Sequence, residues 1–186
     1  MEAVVKKVGL KRIILVGHSM GGPVSLEVAK RMPGTVVGVV GVDTLHNAEY
    51  KFPEDQSKKF LEGFETDFKG TMRLGMRGMF PEKVDPELLE WITKKAEAQD
   101  QKRALGLFGD FPRLDTKALL RDAKVPVRCI NSGAGFQFAT PTASDINNKY
   151  ADFKVVIMEG VGHYPMLEKP AEFNEKLREI LKEFGH

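Results

Sequence analysis

Ile13-Ile14-Leu15-Val16-Gly17-His18-Ser19-Met20-Gly21-Gly22 is the stretch that decides the fold. Its four leading apolar residues, β-branched or leucine, read as a fully buried strand of a parallel sheet. Gly17-x-Ser19-x-Gly21 follows at once, and an alanine- and leucine-containing helical pattern comes next. This is the setting of a nucleophile elbow, a turn from strand to helix so sharp that its middle residue is strained with its side chain exposed. Gly17 and Gly21 are both expected to be glycine because a Cβ would strike the neighbouring strand or helix. The helix starting after Ser19 aims the Met20 N–H, and the positive end of its dipole, at whatever Ser19 attacks. A plain Gly/Ser turn is the bland alternative. The strand before, the helix after and Gly22 favour the elbow.

The composition sets the frame for the remainder of the chain. A chain of 186 residues, 42% hydrophobic and 29% charged, has the balance of a soluble globular protein. A single domain of this length buries about two thirds of its unfolded surface. Lys+Arg of 28 against Asp+Glu of 26 leaves +2 with no basic block, which gives nucleic acid no support as a partner. Cys129 is the only cysteine, so no internal disulfide can form, and a buried inert thiol in a reduced compartment is expected. Residues 1–9 lack the apolar core of a secretory signal, and Val36–Val42 is too short to span a bilayer. A cytoplasmic location without a membrane partner is the expectation.

Outward from the elbow, residues 2–8 read as helix with Gly9 as its C-cap. Strand from Arg12 to Gly17, helix from Met20 to Arg31 and strand from Val36 to Val42 make a right-handed βαβ unit. Met32-Pro33-Gly34 breaks the helix, and Asp43 ends the second strand. From 46 to 122 no strand signal intervenes. Phe60, Leu61, Phe64 and Phe68, then Leu88, Leu89 and Ile92 around Trp91, recur at helical spacing. This predicts a helical cap insertion over 46–122 between core segments 1–45 and 123–186. Most of its aromatic residues would form its own core. A minority, with Met72, Met76 and Met79, would face Ser19 as an adaptable apolar pocket. Strands over Val125–Ile130 and Lys154–Met158, a helix over Thr142–Tyr150 and a last helix over Pro170–Phe184 complete the pattern.

A serine needs a base to become a nucleophile. Of four histidines, His18 adjoins Ser19 and is badly placed to serve it, His46 opens the insertion, and His186 is terminal. His163 lies in a glycine-flanked loop after the last strand, at the sheet edge that presents Ser19. An ordinary surface role is the alternative for such a loop histidine. Gly17-His18-Ser19-Met20-Gly21-Gly22 within Gly9–Ala29, together with Val161-Gly162-His163-Tyr164-Pro165-Met166-Leu167-Glu168-Lys169-Pro170, resembles the α/β-hydrolase superfamily. The resemblance implies the chain order Ser…Asp…His, with Ser19 as nucleophile and His163 as base. The acid follows either the strand after the elbow helix or the next one. Asp43 stands at the first site. At the second, after Ile130-Asn131-Ser132, the chain has Gly133, and the nearest later aspartate is Asp145. That departure favours Asp43, with Asp145 in reserve and a turn cap ahead of Thr44 as the plain alternative for Asp43.

The resemblance covers only the second half of the family's fold: a truncated α/β-hydrolase fold of about four parallel strands with flanking helices and a helical cap. The family's second oxyanion donor comes from a loop ahead of the elbow strand, leaving the Met20 N–H as the donor here. The elbow strand would become an exposed hydrophobic edge, and Lys11–Val16 is expected to pair with a second copy, unless the chain is part of a longer protein. The implied activity is hydrolysis of a small apolar ester through an acyl-enzyme. No metal-ligand cluster or phosphate loop is visible, so no cofactor is expected. A non-catalytic small-molecule-binding module and a weakly active fragment of a larger hydrolase are the alternatives. Fold analogy supplies the class of chemistry and not the substrate.

Overall fold

A computed structural model describes residues 1–51, 53–133, 136, 137 and 139–185. His186, one of the four histidines, lies outside the described residues. Four parallel strands, β1 (Ile13–His18), β2 (Val36–Val42), β3 (Val127–Ser132) and β4 (Phe153–Met158), lie in the order β1-β2-β3-β4 among the described residues. Val-Val-Gly-Val-Val-Gly-Val of β2 and all of β3 are buried or nearly so, as central strands of a parallel sheet must be. Successive side chains point to opposite faces. Val39 joins Leu26, Val36, Val127 and Cys129 beneath one face, and Val40 joins Ile130, Phe173, Ile180 and Phe184 beneath the other.

The first face is covered by α1 (Glu2–Val8), α2 (Gly21–Arg31) and α7 (Thr116–Ala123), and the second by α10 (Pro170–Glu183). Gly9 caps α1 at φ 77°, a left-handed value that glycine adopts freely. Between β2 and α7 run α3 (Glu54–Thr66), α4 (Phe68–Gly78), α5 (Pro86–Glu97), α6 (Gln101–Asp110) and a 3₁₀ turn, Phe111–Arg113. Aspartates open α4, α5, α6 and α7. Asp67, Asp85, Asp100 and Asp115 each accept a backbone N–H of the first turn at 2.8–3.1 Å. Two small cores hold α3 to α6 together, one around Phe64, Met72 and Ala104 and one around Met76, Phe80 and Ile92. Although the sequence reading grouped Thr116–Asp122 with the insertion, α7 packs on α2 and buries Leu120 and Ala123 in the sheet core.

Element boundaries differ in two instructive places. The helix expected over Thr142–Tyr150 shrinks to α8 (Ser144–Asn147). Asn147 is buried and spends its amide on the Leu45 carbonyl (2.7 Å) and the Ala48 N–H (2.8 Å), fixing a turn there. β3 begins and ends two residues later than Val125–Ile130, because Asn131 and Ser132, polar as they are, continue the ladder to β4. β1 stands at the edge of the described sheet, and Val16 on it is 50% exposed.

Candidate active site

Ser19 follows β1 directly and has φ 52°, a left-handed conformation that costs an L-residue about 1–2 kcal/mol. Three hydrogen bonds hold it there: its N–H to the Val42 carbonyl (3.0 Å), and to its own carbonyl the Gly22 N–H (3.0 Å) and the Thr44 hydroxyl (2.7 Å). The tightness explains two of the glycines. A Cβ on Gly17 would run into the Gly21 carbonyl and lie 2.7 Å from Ser25 Oγ, and one on Gly22 would lie 2.5 Å from Thr44 Cγ2 and Oγ1. Gly21 is a correction to the sequence reading, since a Cβ there meets nothing within 4 Å. Met20 is the N-cap of α2, and among the described residues its N–H has no hydrogen-bond partner. It is one of the orphan donors every helix start leaves.

Val42 and Thr44, which hold the Ser19 backbone, flank Asp43. The chain is forced through the turn with φ 43° at Asp43 and φ 53° at Leu45. Asn131, wholly buried at the end of β3, clamps it, accepting from the Thr44 N–H (3.2 Å) and donating to the Thr44 carbonyl (3.0 Å). The Asp43 carboxylate is only 2% exposed. Oδ1 accepts the Ser132 N–H at 2.8 Å and the Ser132 hydroxyl at 2.5 Å, while Oδ2 meets His163 Nδ1 at 2.6 Å. Burial alone would raise the carboxyl's pKa. The bonds from His163 and Ser132 and the nearby His163 and His46 outweigh it and hold the pKa below the ordinary value. An ionised Asp43 accepts a proton-bearing Nδ1, which leaves the lone pair of His163 on Nε2.

The loop that carries His163 is tied down by three separate groups. The Glu168 carboxylate accepts the N–H of Gly162 (2.8 and 3.0 Å) and of Tyr164 (3.1 Å). Burial raises the Glu168 pKa despite these bonds. The Met79 carbonyl, just past α4, accepts the His163 N–H at 2.8 Å, and His18 Nε2 lies 2.7 Å from the His163 carbonyl. A Cβ on Gly162 would overlap the Met79 carbonyl and lie 2.9 Å from Phe80 Cα, so the insertion and the loop touch backbone to backbone. Phe80 stacks on Tyr164 with centroids 5.1 Å apart, and the Tyr164 hydroxyl reaches Met76 Sδ at 3.5 Å. Met72 is thus buried in one of the insertion's cores, Met76 in the one that Tyr164 and Leu167 complete, and Met79 is the methionine beside His163.

Ser19, Asp43 and His163 therefore gather at the C-terminal ends of the strands, while Asp145 sits exposed on α8 away from this network. Sequence reasoning missed His18 and His46 as members of the site, and did not single out Asn131, Ser132 and Glu168. Thr142 Oγ1 accepts from Asn131 Nδ2 (2.8 Å) and lies 3.2 Å from His46 Nδ1, while His46 Nε2 stands 3.7 Å from Asp43 Oδ1. Burial lowers the His46 pKa. Glu168 did have a signal, since it lies in the quoted stretch running on from His163. Asn131, brought to the Asp43 turn only by the fold, had none, and no pattern marked His46, three residues beyond Asp43. Burial pushes the Cys129 thiol up to about 12, so it is inert. Among the described residues no group of three or more His, Cys, Asp or Glu is placed to hold a metal ion, and no helix is long and apolar enough to cross a membrane.

A model of the alpha/beta hydrolase family matches residues 1–176. Similar solved structures include a bromoperoxidase from Bacillus anthracis (TM-score 0.82, 19% identity, covering 97% of this chain and 71% of that one). An esterase from Exiguobacterium antarcticum aligns with TM-score 0.83 at 16% identity, over 97% of this chain and 70% of its own. A hydrolase from Oleispira antarctica does so with TM-score 0.86 at 12% identity, over 97% and 69%. Among curated proteins nothing matches.

Proposed function

This chain belongs to the alpha/beta hydrolase family, and on that premise we propose that it is a serine hydrolase cleaving small carboxylic esters through an acyl-enzyme on Ser19. The observation that carries the reading is the 2.6 Å bond between buried Asp43 and His163 Nδ1 beside a serine held at φ 52°. Asp43 fixes the tautomer, so His163 Nε2 takes the Ser19 proton as Oγ attacks the acyl carbon. The carbonyl oxygen becomes an oxyanion facing the Met20 N–H and the positive end of α2, a donor worth about 10²–10³ in rate. Collapse breaks the bond to the alcohol oxygen, which leaves with the proton from His163. Water then loses a proton to His163 and attacks the acyl carbon, and collapse releases the acid as Ser19 Oγ takes that proton back from His163.

The esterase among the similar structures agrees with this class, and Met79, Phe80 and Tyr164 around the base loop favour an apolar acyl group. The test is turnover of short and medium p-nitrophenyl esters. Ser19→Ala abolishes it, and Asp43→Asn lowers kcat about 10⁴-fold by stranding the imidazole in the wrong tautomer. Asp145→Asn, on the exposed face of α8, leaves kcat unchanged. Turnover no higher than that of Ser19→Ala would remove the proposal in favour of a binding module.

A further inference from the structure

We propose that His18 is a positioning residue, whose Nε2–H bond to the His163 carbonyl sets the base against the neighbouring Ser19. A carbonyl only accepts, so the 2.7 Å contact requires the proton on His18 Nε2. The ring also packs on the residues it holds, with centroids 4.6 Å from the His163 ring and 5.1 Å from the Tyr164 ring. Of the backbone groups of Gly162, His163 and Tyr164, the Gly162 and Tyr164 N–H groups donate to the Glu168 carboxylate a few residues on, the Tyr164 carbonyl accepts from the Leu167 and Glu168 N–H groups, and the His163 N–H donates to the Met79 carbonyl in the insertion. The bond to His18 is the one that reaches the elbow. Because His18 and Ser19 are consecutive, a shift of the elbow carries nucleophile and base loop together.

Two features fit this task. The Nε2 proton is committed to the carbonyl, which leaves His18 only Nδ1 as an acceptor. Burial, then the proximity of His163, lowers its pKa to about 4, so it stays neutral and adds no charge beside a base that must accept a proton. A space-filling role would need only the ring. The positioning role needs the donor.

The substitutions that separate these roles are His18→Phe, which keeps a ring, His18→Gln, whose amide Nε2 can replace the donor, and His18→Ala. The kinetic arm rests on the serine-hydrolase reading. In it, Phe and Ala lower kcat about 10²-fold, the cost of a displacement near 1 Å, with KM little changed, and Gln recovers most of the loss. The second arm needs no turnover. In ¹⁵N-histidine-labelled protein carrying Ser19→Ala, solvent exchange of the His163 Nδ1 proton is read by NMR. It speeds up on His18→Phe and His18→Ala and stays slow on His18→Gln. Absence of Ser19-dependent turnover would defeat the hydrolase reading alone. Phe behaving like wild type in the exchange arm, or Gln behaving like Ala, would overturn the role of His18.

Discussion

At the scale of single residues, burial and hydrogen bonding move the titration of Asp43, His18 and His46 away from their ordinary values. His18 shows this most directly, lowered from the ordinary histidine value of 6.5 to about 4 by burial and then by His163. In the unfolded chain it binds a proton near pH 6.5, while in the folded chain it does so only near 4. Between those values the unfolded state holds more protons, so stability rises with pH across that window and is full above it. One such group contributes a slope of up to about 1.4 kcal/mol per pH unit. Urea unfolding from pH 7 to 4 is therefore expected to fall less steeply in His18→Gln than in wild type, with His46, lowered in the same direction, accounting for a remaining part. Equal slopes would show that His18 titrates normally. Ser19, Asp43 and His163 were legible in the sequence because each sits where a strand ends, and strand ends follow from hydrophobic runs. His18, His46 and Asn131 were not, because their work lies in contacts between segments distant along the chain, His18 to His163 and Asn131 to Thr44.

At the scale of elements, the elbow is a junction whose glycines are not equivalent. Gly22 packs against Thr44, the residue whose hydroxyl holds the Ser19 carbonyl, and a Cβ would sit 2.5 Å from that hydroxyl oxygen. Gly22→Ala is expected to lower stability by about 1–3 kcal/mol through overpacking. Gly21→Ala meets open space in the first turn of α2 and should match wild type or gain up to about 1 kcal/mol from helix propensity. Denaturant midpoints of the two variants decide it, and the reverse order would refute the packing argument. The sequence pattern cannot tell these glycines apart, because motif spacing says where a turn is and not which face of it is covered. The strands and α2 were readable for the opposite reason: their periodicity is a local property that burial then confirms residue by residue in β2 and β3. α8 fell short of its predicted length because the Asn147 amide bonds to Leu45 and Ala48, a tertiary demand that local propensity does not register.

At the scale of the whole molecule, the sheet is covered on both faces, by α1, α2 and α7 on one and α10 on the other, but its two edges differ. β4 carries exposed Lys154 beside Glu183, a charged margin of the kind that discourages pairing. β1 offers Ile13-Ile14-Leu15-Val16 with β2 on one side and, among the described residues, no strand on the other, with Val16 half exposed. Such an edge is a template for another strand. We propose that a second copy of the same edge pairs with it antiparallel across a two-fold axis, the self-complementary contact that closed dimers use. Sedimentation velocity over a range of concentrations is then expected to show a reversible dimer, which Val16→Lys shifts to monomer by placing a charge on each side of the dyad. Because Val16 faces solvent in the single chain, the substitution should leave the unfolding midpoint of the monomer close to wild type. A wild-type chain monomeric at every concentration would refute pairing through β1, and a dimer indifferent to Val16→Lys would assign the contact to another surface.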